Sequence, residues 1–330
     1  MAAQVELSVV VPVYGCADCV GALYRRLVDA LEEVTDRFEL IFVDDRSPDG
    51  AWEALLSLAP DDPRVRRFRL ARNFGQHAAI TAGLSQSRGA WTVVIDCDMQ
   101  DPPEEIPRLY SIAKSGYDFV LTKRLSRSQP WLRRVAGRAY FRMRNVFLKT
   151  DMDTEYATLS ILSRKVVDAF LRIGDRDRQY MLILHWLGFD HTVVEIEHSD
   201  RHAGRSSYTF SSLMRVAIDG MFFQTTILLR WIVYLGFIVA VIGVGLAVFL
   251  TVAYFIARPF PGWTSLAVLI LLSTGTILIS TGVTGLYIGK IFEQVKDRPL
   301  YLFDEAAERV EPASEPELAT TASKAGAPRT

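Results

Sequence analysis

The chain has few cysteines and almost no net charge. Only three cysteines occur in 330 residues, which agrees with a reducing compartment. Cys16 and Cys19 form a C-x-x-C. Without a second pair, this spacing predicts two small buried hydrophobic residues rather than a redox centre or half of a zinc site. A net charge of −1 does not favour a nucleic-acid-binding protein.

Two common phosphate-binding signatures are also absent. No G-x-G-x-x-G follows the first predicted strand, and there is no Walker lysine loop. A nucleotide would therefore be held by side chains and a metal rather than by a glycine-rich loop. No signal peptide is expected before Leu7, because the chain enters a predicted strand almost at once.

Charged residues are missing from two long stretches near the C-terminus. Residues 231–257 carry no charge, and none follows between Arg258 and Lys290. Each stretch exceeds the roughly 20 residues that cross a bilayer, and prolines between them predict a turn. A buried core hairpin is the alternative, which suits runs of this length poorly. Basic residues flank the outer ends, which predicts a membrane protein with two spans and cytoplasmic termini.

The first 125 residues alternate between strand and helix patterns. Apolar runs predict strands at residues 7–14, 38–45, 65–71, 91–95 and 117–122. Helical spacing predicts helices at residues 20–34, with Asp18 as N-cap, and at 75–87 and 103–115. This alternation predicts an α/β domain with a mostly parallel sheet. Further helices are expected at 161–173 and 178–187, and a flanking strand at 189–198.

Three predicted strands carry candidate site residues at their carboxyl ends, namely Pro12 and Tyr14, Asp44 and Asp45, and Asp96 and Asp98. The carboxyl ends of parallel strands meet at one edge of a sheet, so these groups are expected to converge. On an extended backbone Asp96 and Asp98 would point the same way and could bind one cation. Their oxygens and that of Gln100 suit Mg²⁺ or Mn²⁺ rather than zinc. A solvated acidic turn is the alternative.

The composition becomes basic after the fifth predicted strand. The cluster comprises Lys123, Arg124, Arg127, Arg133, Arg134, Arg138, Arg142 and Arg144. A solvated helix face and a nucleic-acid patch are the alternatives, but the cluster lies between an acidic metal site and a membrane hairpin. Arginine binds phosphate oxygens in bidentate fashion, which favours a phosphorylated acceptor in the lipid headgroup layer.

Three later segments complete the chain. Residues 199–210 are polar and basic and predict a mobile loop. Residues 212–230 predict an amphipathic helix along the membrane surface, rather than a core helix. Residues 304–330 are rich in alanine, glutamate, proline, serine and threonine, and are expected to be disordered.

The order of several motifs resembles a known family. The motifs are VVVPVY, FELIFVDDRSPDG, RNFGQHAAITAG, VVIDCDMQDPPEEIP and RHAGRSSYTF, followed by two apolar runs. This order is similar to that of the polyprenyl-phosphate glycosyltransferases, which are family 2 enzymes with a GT-A catalytic domain. They include dolichyl-phosphate mannose synthases and bacterial undecaprenyl-phosphate glucosyl- and aminoarabinosyl-transferases. The resemblance covers residues 5–302, and the two apolar runs make it strongest for the bacterial enzymes, which implies a location in the bacterial inner membrane.

The resemblance implies roles for individual residues. It implies nucleotide-sugar binding by Pro12, Tyr14, Asp44, Asp45, Gln76 and Asp96. It implies a Mg²⁺ or Mn²⁺ cofactor bound by Asp96, Asp98 and Gln100. It implies catalytic roles for Asp96, Asp98, Arg124 and Arg134. It implies lipid-phosphate binding by Arg127, Arg134, Arg138, Arg201, Arg205 and Ser207. Asn73, Gly75 and His77 would shape the donor pocket, although a histidine on a helix is otherwise more often structural.

Two stretches depart from the family's pattern. Relatives often have an arginine at the position of Ser160, and many read G-E-S-K-Y where this chain reads AGRSSY. Arg205 and Ser207 thus replace an acid and a lysine, which puts the identity of the sugar in doubt. Asp153 and Glu155 lie where related transferases carry a catalytic base. Such a base matters only if the acceptor is a hydroxyl.

The sequence therefore predicts metal-dependent, inverting transfer of a hexose from a nucleotide-sugar, expected to be a UDP-sugar, to undecaprenyl or another polyprenyl phosphate. A GDP-mannose-dependent mannose synthase and an inactive nucleotide-sugar-binding membrane protein are the alternatives. The resemblance also implies a homotetramer, and the product would need a separate flippase. The expected organisation is a GT-A domain at residues 1–200, a basic loop and interface helix at 201–230, two spans at 231–289, a juxtamembrane segment at 290–303 and a tail at 304–330.

Overall fold

The computed structural model describes residues 5–124, 156–176, 178–196, 227–257 and 262–304. The strands in these ranges are β1 Leu7–Val13, β2 Phe38–Asp44, β3 Val65–Arg69, β4 Trp91–Val94, β5 Phe119–Arg124, β6 Tyr156–Ser163 and β7 His191–Ile196. The helices are α1 Ala17–Glu32, α2 Ala51–Ser57, α3 Gln76–Gln86, α4 Ile106–Lys114, α5 Arg164–Arg172, α6 Tyr180–Leu187, α7 Ile227–Ala257 and α8 Trp263–Val295. A short 3₁₀ turn, Pro103–Glu105, precedes α4.

The described strands form one mixed sheet in the order β3-β2-β1-β4-β6-β5-β7. β6 is antiparallel to both of its neighbours, and the other pairings are parallel. Helices cover both faces, so every residue of β1 is buried. Val9 and Val11 pack on the side of α1, whereas Val10 packs on the side of α3. The expected α/β fold with a mostly parallel sheet is confirmed.

Residues 161–173 differ from the prediction of a single helix. The chain forms β6 up to Ser163 and α5 only from Arg164. Because β6 lies between β4 and β5, both of its faces are covered and Leu159, Ser160, Ile161 and Leu162 are all buried. A short buried run of this kind lacks the alternation that separates a strand from a helix in a sequence.

The start of α1 also differs from the prediction. The helix begins at Ala17, so Asp18 lies inside its first turn and the predicted N-cap role of Asp18 is wrong. The backbone N–H of Ala17 instead donates to Asp49 Oδ2 at 2.9 Å. A carboxylate from the loop after β2 therefore accepts a hydrogen bond at the amino end of α1, where backbone N–H groups lack helical partners.

Two long apolar helices, α7 and α8, follow the sheet domain. Of the helices that the structure describes, α8 contains one segment, Ser273–Val295, that is long and apolar enough to cross a membrane. The apolar part of α7 among the described residues, Trp231–Gly245, is shorter. Large apolar side chains are exposed along both helices, including Phe237, Phe249 and Ile279. One apolar helix near the C-terminus thus supports membrane association, and the two-span hairpin stays a prediction.

Candidate active site

Three adjacent strands bring residues that were predicted to bind the nucleotide-sugar to one edge of the sheet. Asp44 ends β2, Pro12 is the penultimate residue of β1, and Asp96 follows β4 by two residues. β1 lies between β2 and β4, and the chain order reverses direction across β1. Ligands of open α/β sheets bind at such a switch point, outside the carboxyl ends of the strands. Tyr14 lies just beyond β1 and is 52% exposed.

Asp44 and Asp45 are buried, although both are acidic. Asp44 Oδ1 accepts the N–H of Ser47 at 3.0 Å, and its Oδ2 lies 3.1 Å from Arg69 Nε. Asp45 accepts the N–H groups of Phe74 at 2.7 Å and Gly75 at 2.8 Å. Burial raises the pKa of both carboxyls, and the hydrogen bonds offset this only in part. Asp45 is thereby held against the loop that carries Gln76.

Ser47 and Asp49 link the loops after β1 and β2. The N–H of Gly15 donates to Ser47 Oγ at 2.6 Å, and this hydroxyl donates to Asp49 Oδ1 at 2.8 Å. The other oxygen of Asp49 accepts the N–H of Ala17. Neither side chain was among the predicted site residues. The SPDG turn signal marked their position, but a turn pattern does not reveal a bond to residues about 30 positions earlier.

Within the described ranges, each carboxylate oxygen of Asp96 accepts a side-chain hydrogen bond. Gln76 Nε2 donates to Asp96 Oδ1 at 2.7 Å, and Thr158 Oγ1 donates to Oδ2 at 2.7 Å. The structure therefore brings two predicted residues, Gln76 and Asp96, into direct contact. Thr158 was missed because it lies in β6, whose first residues carried no strand prediction. Fixed donors of this kind orient a carboxylate that binds a ligand.

Asp98 and Gln100 lie in a turn rather than on an extended strand. β4 ends at Val94, and Met99 has φ +57° in the left-handed region. The N–H of Gln100 donates to Asp98 Oδ1 at 3.2 Å, so the predicted extended geometry of Asp96 and Asp98 is wrong. Nearby Asp101 is fully buried and accepts the N–H of Leu159 at 3.3 Å, which makes it structural.

The donor atoms still fit a hard divalent cation. Asp96, Asp98 and Gln100 offer carboxylate and amide oxygens at the switch point, and all three are partly exposed. Each carboxylate oxygen has two lone pairs, so accepting one hydrogen bond does not by itself prevent that oxygen from binding a cation. Across the described ranges, no group of three His, Cys, Asp or Glu side chains is arranged to hold a metal. Any cation here would thus complete its shell with the amide, water or substrate oxygens.

A disulfide joins the two sides of the switch point. Cys16 lies in the loop between β1 and α1 and forms a disulfide with Cys97, which lies between Asp96 and Asp98. The Cα atoms of the two cysteines are 6.5 Å apart. Cys16, Cys19 and Cys97 are all buried, as expected for Cys16 and Cys19, but Cys16 is not a free thiol. The prediction was wrong for this residue because its partner is 81 positions away, beyond the reach of local spacing.

Sequence comparison identifies the family. Residues 8–171 match the family described as Glycosyl transferase family 2. The chain is 33% identical to undecaprenyl-phosphate 4-deoxy-4-formamido-L-arabinose transferase of Proteus mirabilis, over 90% of this chain and 92% of that protein. The chain belongs to glycosyl transferase family 2. This confirms the family predicted from its motifs, and the protein is a glycosyltransferase.

A second sequence relative is also named a glycosyltransferase, and one solved structure shows a weaker likeness. The glycosyltransferase is 32% identical to the uncharacterized glycosyltransferase YkcC of Bacillus subtilis, over 92% of this chain and 94% of that protein. Among solved structures it is similar to the mannosyltransferase PcManGT from Pyrobaculum calidifontis in complex with GDP-Man and Mn²⁺. That likeness has a TM-score of 0.45 and 14% identity, and covers 90% of this chain and 89% of the other.

The predicted arginines lie mostly outside the described residues of the glycosyltransferase. Arg124 ends β5, but Arg127, Arg134, Arg138, Arg201, Arg205 and Ser207, with Asp153 and Glu155, fall in the ranges without description. The described strand ends nevertheless fix where those ranges begin. β5 runs parallel to β7 and antiparallel to β6, so β5 and β7 end, and β6 begins, at the edge that carries Asp96. Both arginine-bearing stretches leave the sheet at this edge.

Two residues near this edge of the glycosyltransferase have partners in the core. Ser160 is fully buried, and its hydroxyl is 2.8 Å from the hydroxyl of Tyr180. Serine thus fits a core position here. His77 Nδ1 accepts the N–H of Tyr180 at 3.4 Å, which ties α3 to the start of α6. This contact agrees with a structural role for His77. Gly75 has φ +95°, a backbone conformation that residues with a side chain rarely adopt. Asn73 is exposed.

Proposed function

We propose that this glycosyltransferase moves a hexose from a nucleotide-sugar, expected to be a UDP-sugar, to a polyprenyl phosphate at the cytoplasmic face of the membrane. The main supporting observation is topological. The chain leaves the edge that carries Asp45 and Asp96 to enter both arginine-bearing stretches, and the apolar helices α7 and α8 follow. Relatives whose names specify transfer to undecaprenyl phosphate support the same acceptor class.

The nucleotide is assigned to the β1 and β2 side of the switch point. The exposed ring of Tyr14 offers a stacking surface for a base, next to Pro12. Asp44 and Asp45 lie at the end of the neighbouring strand, and although both are buried they remain assigned to the hydroxyl groups of the nucleotide. Asp45 accepts hydrogen bonds from the loop that ends at Gln76, so the conformation of this loop affects the nucleotide site.

The diphosphate is assigned to the turn after β4. When bound by Asp96, Asp98 and Gln100, Mg²⁺ or Mn²⁺ supplies positive charge that stabilises the departing diphosphate. Gln76 and Thr158 orient the Asp96 carboxylate toward this task. Arg124, at the carboxyl end of β5, and Arg134 in the following stretch are assigned to charge compensation of the phosphates.

The acceptor requires little proton transfer. A phosphate monoester has a second pKa of about 6, so a lipid phosphate already carries a nucleophilic oxyanion near neutral pH. This oxygen forms a bond to the anomeric carbon while the bond from that carbon to the nucleoside diphosphate breaks, which inverts the configuration. Asp153 and Glu155 would then serve no essential base role. Positioning of the lipid phosphate by Arg127, Arg134, Arg138, Arg201, Arg205 and Ser207 reduces charge repulsion.

The membrane arrangement is part of the same proposal. α7 and α8 form a two-span hairpin, and the catalytic domain and both termini lie in the cytoplasm. The organisation is a catalytic domain at 1–200, a basic loop and interface helix at 201–230, spans at 231–289, a juxtamembrane segment from 290 and a tail that follows residue 304. The product forms on the cytoplasmic face, so its use outside requires a separate flippase. The enzyme assembles as a homo-oligomer.

A reconstitution assay tests the transfer directly. Purified full-length protein is mixed with undecaprenyl phosphate, Mg²⁺ or Mn²⁺ and a panel of labelled UDP- and GDP-sugars, and labelled lipid is counted. We expect one UDP-sugar to label the lipid in a metal-dependent reaction. Labelling by GDP-mannose would instead identify a mannose synthase. If no donor labels the lipid, the proposed transfer is refuted.

Single substitutions assign the roles within this assay. Asp98→Ala should abolish turnover if Asp98 binds the metal, and retained turnover would contradict the metal assignment. Arg134→Ala should raise the Michaelis constant of donor or lipid, and unchanged constants would contradict its phosphate role. Asp297→Asn is a suitable control, because Asp297 is exposed beyond the end of α8.

A further inference from the structure

The chain returns to the catalytic sheet after the second apolar helix. Residues 301–304, called here the return segment, lie beside the end of β3. The N–H of Ala71 donates to the carbonyl of Leu302 at 2.8 Å, and the N–H of Asp304 donates to the carbonyl of Arg69 at 2.8 Å. Leu70 and Phe303 form an antiparallel bridge between these bonds. The return segment therefore extends the sheet beyond β3. Asp304 was assigned to the disordered tail, which is wrong for this residue.

Aromatic packing reinforces these backbone bonds. The ring of Phe303 lies 5.3 Å from that of Phe68 and 5.3 Å from that of Tyr301, measured between centroids. The hydroxyl of Tyr301 donates to Ser85 Oγ in α3 at 2.9 Å. The return segment thus contacts both β3 and α3, which together carry the loop that ends at Gln76.

An ion pair connects the return segment to the donor site. Arg46 Nη1 lies 2.7 Å from Asp304 Oδ2. Arg46 has φ +57°, a left-handed conformation that is uncommon for a residue with a side chain. It stands between Asp45 and Ser47, at the turn where Ser47 bonds back to Asp44. Because Arg46 sits at this turn, holding its side chain restrains the backbone that positions Asp44 and Asp45.

The same segment also restrains the second loop around Asp45. The N–H of Leu70 donates to the carbonyl of Asp44 at 2.8 Å, and Ala71 is bonded to Leu302. The chain continues from Ala71 to Phe74 and Gly75, whose N–H groups bind Asp45. Both backbone stretches that frame Asp45 are therefore in contact with the return segment.

The cytoplasmic end of α8 is bonded to the catalytic domain as well. Gln294 Nε2 donates to the carbonyl of Gly174 at 2.8 Å, and Gln294 Oε1 accepts the N–H of Arg176 at 3.2 Å. These bonds hold the helix end near the loop between α5 and α6. The short linker between Val295 and Tyr301 thus joins two points on one domain, which limits the freedom of the return segment.

We propose that Asp304 is a positioning residue for the nucleotide part of the donor. It holds Arg46, and through Arg46 the turn that carries Asp44 and Asp45. The inference rests on the proposed function of that site as a nucleotide-sugar site. Its consequence is that donor affinity depends on a segment reached only through the second apolar helix, whereas lipid affinity does not depend on Asp304.

The experiment measures nucleotide binding and turnover with full-length protein in detergent. Isothermal titration with UDP and with GDP, each in the presence of Mn²⁺, gives the Kd without any need for transfer. For Asp304→Asn we expect Kd and donor KM to rise about two- to fivefold, the range for a partly exposed ion pair, while lipid KM stays unchanged. Asp304→Glu, which keeps the charge, should restore most of the affinity. Arg46→Gln should match Asp304→Asn, and the double variant should be no worse than either.

Asp297→Asn is the matched control. Asp297 lies in the linker between α8 and the return segment, with φ +46°, which asparagine tolerates equally well. We expect it to bind nucleotide like the unmodified protein.

Each other outcome has a distinct meaning. If the unmodified protein binds a nucleotide and Asp304→Asn binds it equally well, the positioning role is refuted and the proposed function stands. If Asp304→Asn lowers the Tm and weakens donor and lipid parameters together, the residue acts on stability alone and the inference is also refuted. Additive effects of the two substitutions would refute the Arg46 linkage. If the unmodified protein binds neither nucleotide, the proposed donor site itself is wrong.

Discussion

Thr158→Val should weaken metal-dependent turnover by about tenfold. The substitution keeps the β-branched shape that suits β6 but removes the hydroxyl that donates to Asp96 Oδ2 at 2.7 Å. A hydrogen bond to a charged group contributes about 1.5–3 kcal/mol, and the partial exposure of Thr158 and Asp96 favours the lower end. Since about 1.4 kcal/mol corresponds to a factor of ten, about 1.5 kcal/mol predicts a tenfold effect.

The assay varies the metal at fixed donor and lipid concentrations. If Thr158 orients a metal ligand, Thr158→Val should raise the Mn²⁺ concentration needed for half-maximal rate and lower kcat/KM for the donor. Thr158→Ser keeps a hydroxyl and should recover most of the activity. The Tm of each variant should also be compared with that of the unmodified protein, so that a loss of folded protein is not mistaken for a loss of catalysis.

Thr92 offers a matched control in the neighbouring strand. Thr92 lies in β4, is fully buried, and its hydroxyl has no hydrogen-bond partner within the described part of the chain. Thr92→Val therefore removes a similar hydroxyl without removing a hydrogen bond, and should leave turnover unchanged. If Thr158→Val keeps the unmodified metal response, or if both valine variants lose activity alike, then the assigned role of Thr158 is refuted.

Three further predictions concern stability. Gly83→Ala should destabilise the protein by about 1–3 kcal/mol, because the new Cβ would clash with Val10 Cγ1. Gly21→Ala in α1 meets nothing within 4 Å and should stabilise by about 0.5–1 kcal/mol; denaturant titration that gives the same sign for both would contradict this. Cys97→Ser should remove the dependence of Tm on reductant that the Cys16–Cys97 bridge produces, and a reductant effect that persists would exclude this bridge as its source. A hydrogen bond from the hydroxyl of Tyr110 lowers the pKa of Glu6; burial opposes this and Arg37 adds to it. Glu6 therefore stabilises the fold above the ordinary carboxyl pKa, and this contribution is lost as the pH falls through the lowered pKa. Glu6→Gln should destabilise the protein at pH 7 and much less in acid, and a loss of unfolding free energy that grows in acid would contradict this.

The edge of the sheet that carries Asp45 and Asp96 could be predicted because it depends on local sequence patterns. Apolar runs that end in acid mark β1, β2 and β4, and alternation with helices places their carboxyl ends together. The convergence of Asp44, Asp45 and Asp96 at adjacent strands follows from these two rules. The contact between Gln76 and Asp96 was not predicted, but both residues were named for the same site.

The missed features depend on contacts between distant parts of the chain. Thr158 reaches Asp96 only because β6 inserts antiparallel beside β4, and an antiparallel insertion has no local signature in a run of buried residues. Cys16 and Cys97 are 81 positions apart, and Arg46 and Asp304 are 258 positions apart. The composition of residues 304–330 predicted a disordered tail, so the contacts of the return segment with the end of β3 were missed.

The pairing of β5 with β6 also bears on how such enzymes diversify. Lys123 pairs with Tyr156, so residues 125–155 leave and re-enter the sheet at neighbouring positions. A stretch with adjacent ends behaves as an insertion in a hairpin, and its length and sequence can change without altering strand order. If this stretch carries the proposed acceptor residues, relatives can exchange acceptor chemistry at these two points without altering the strands that hold Asp45 and Asp96.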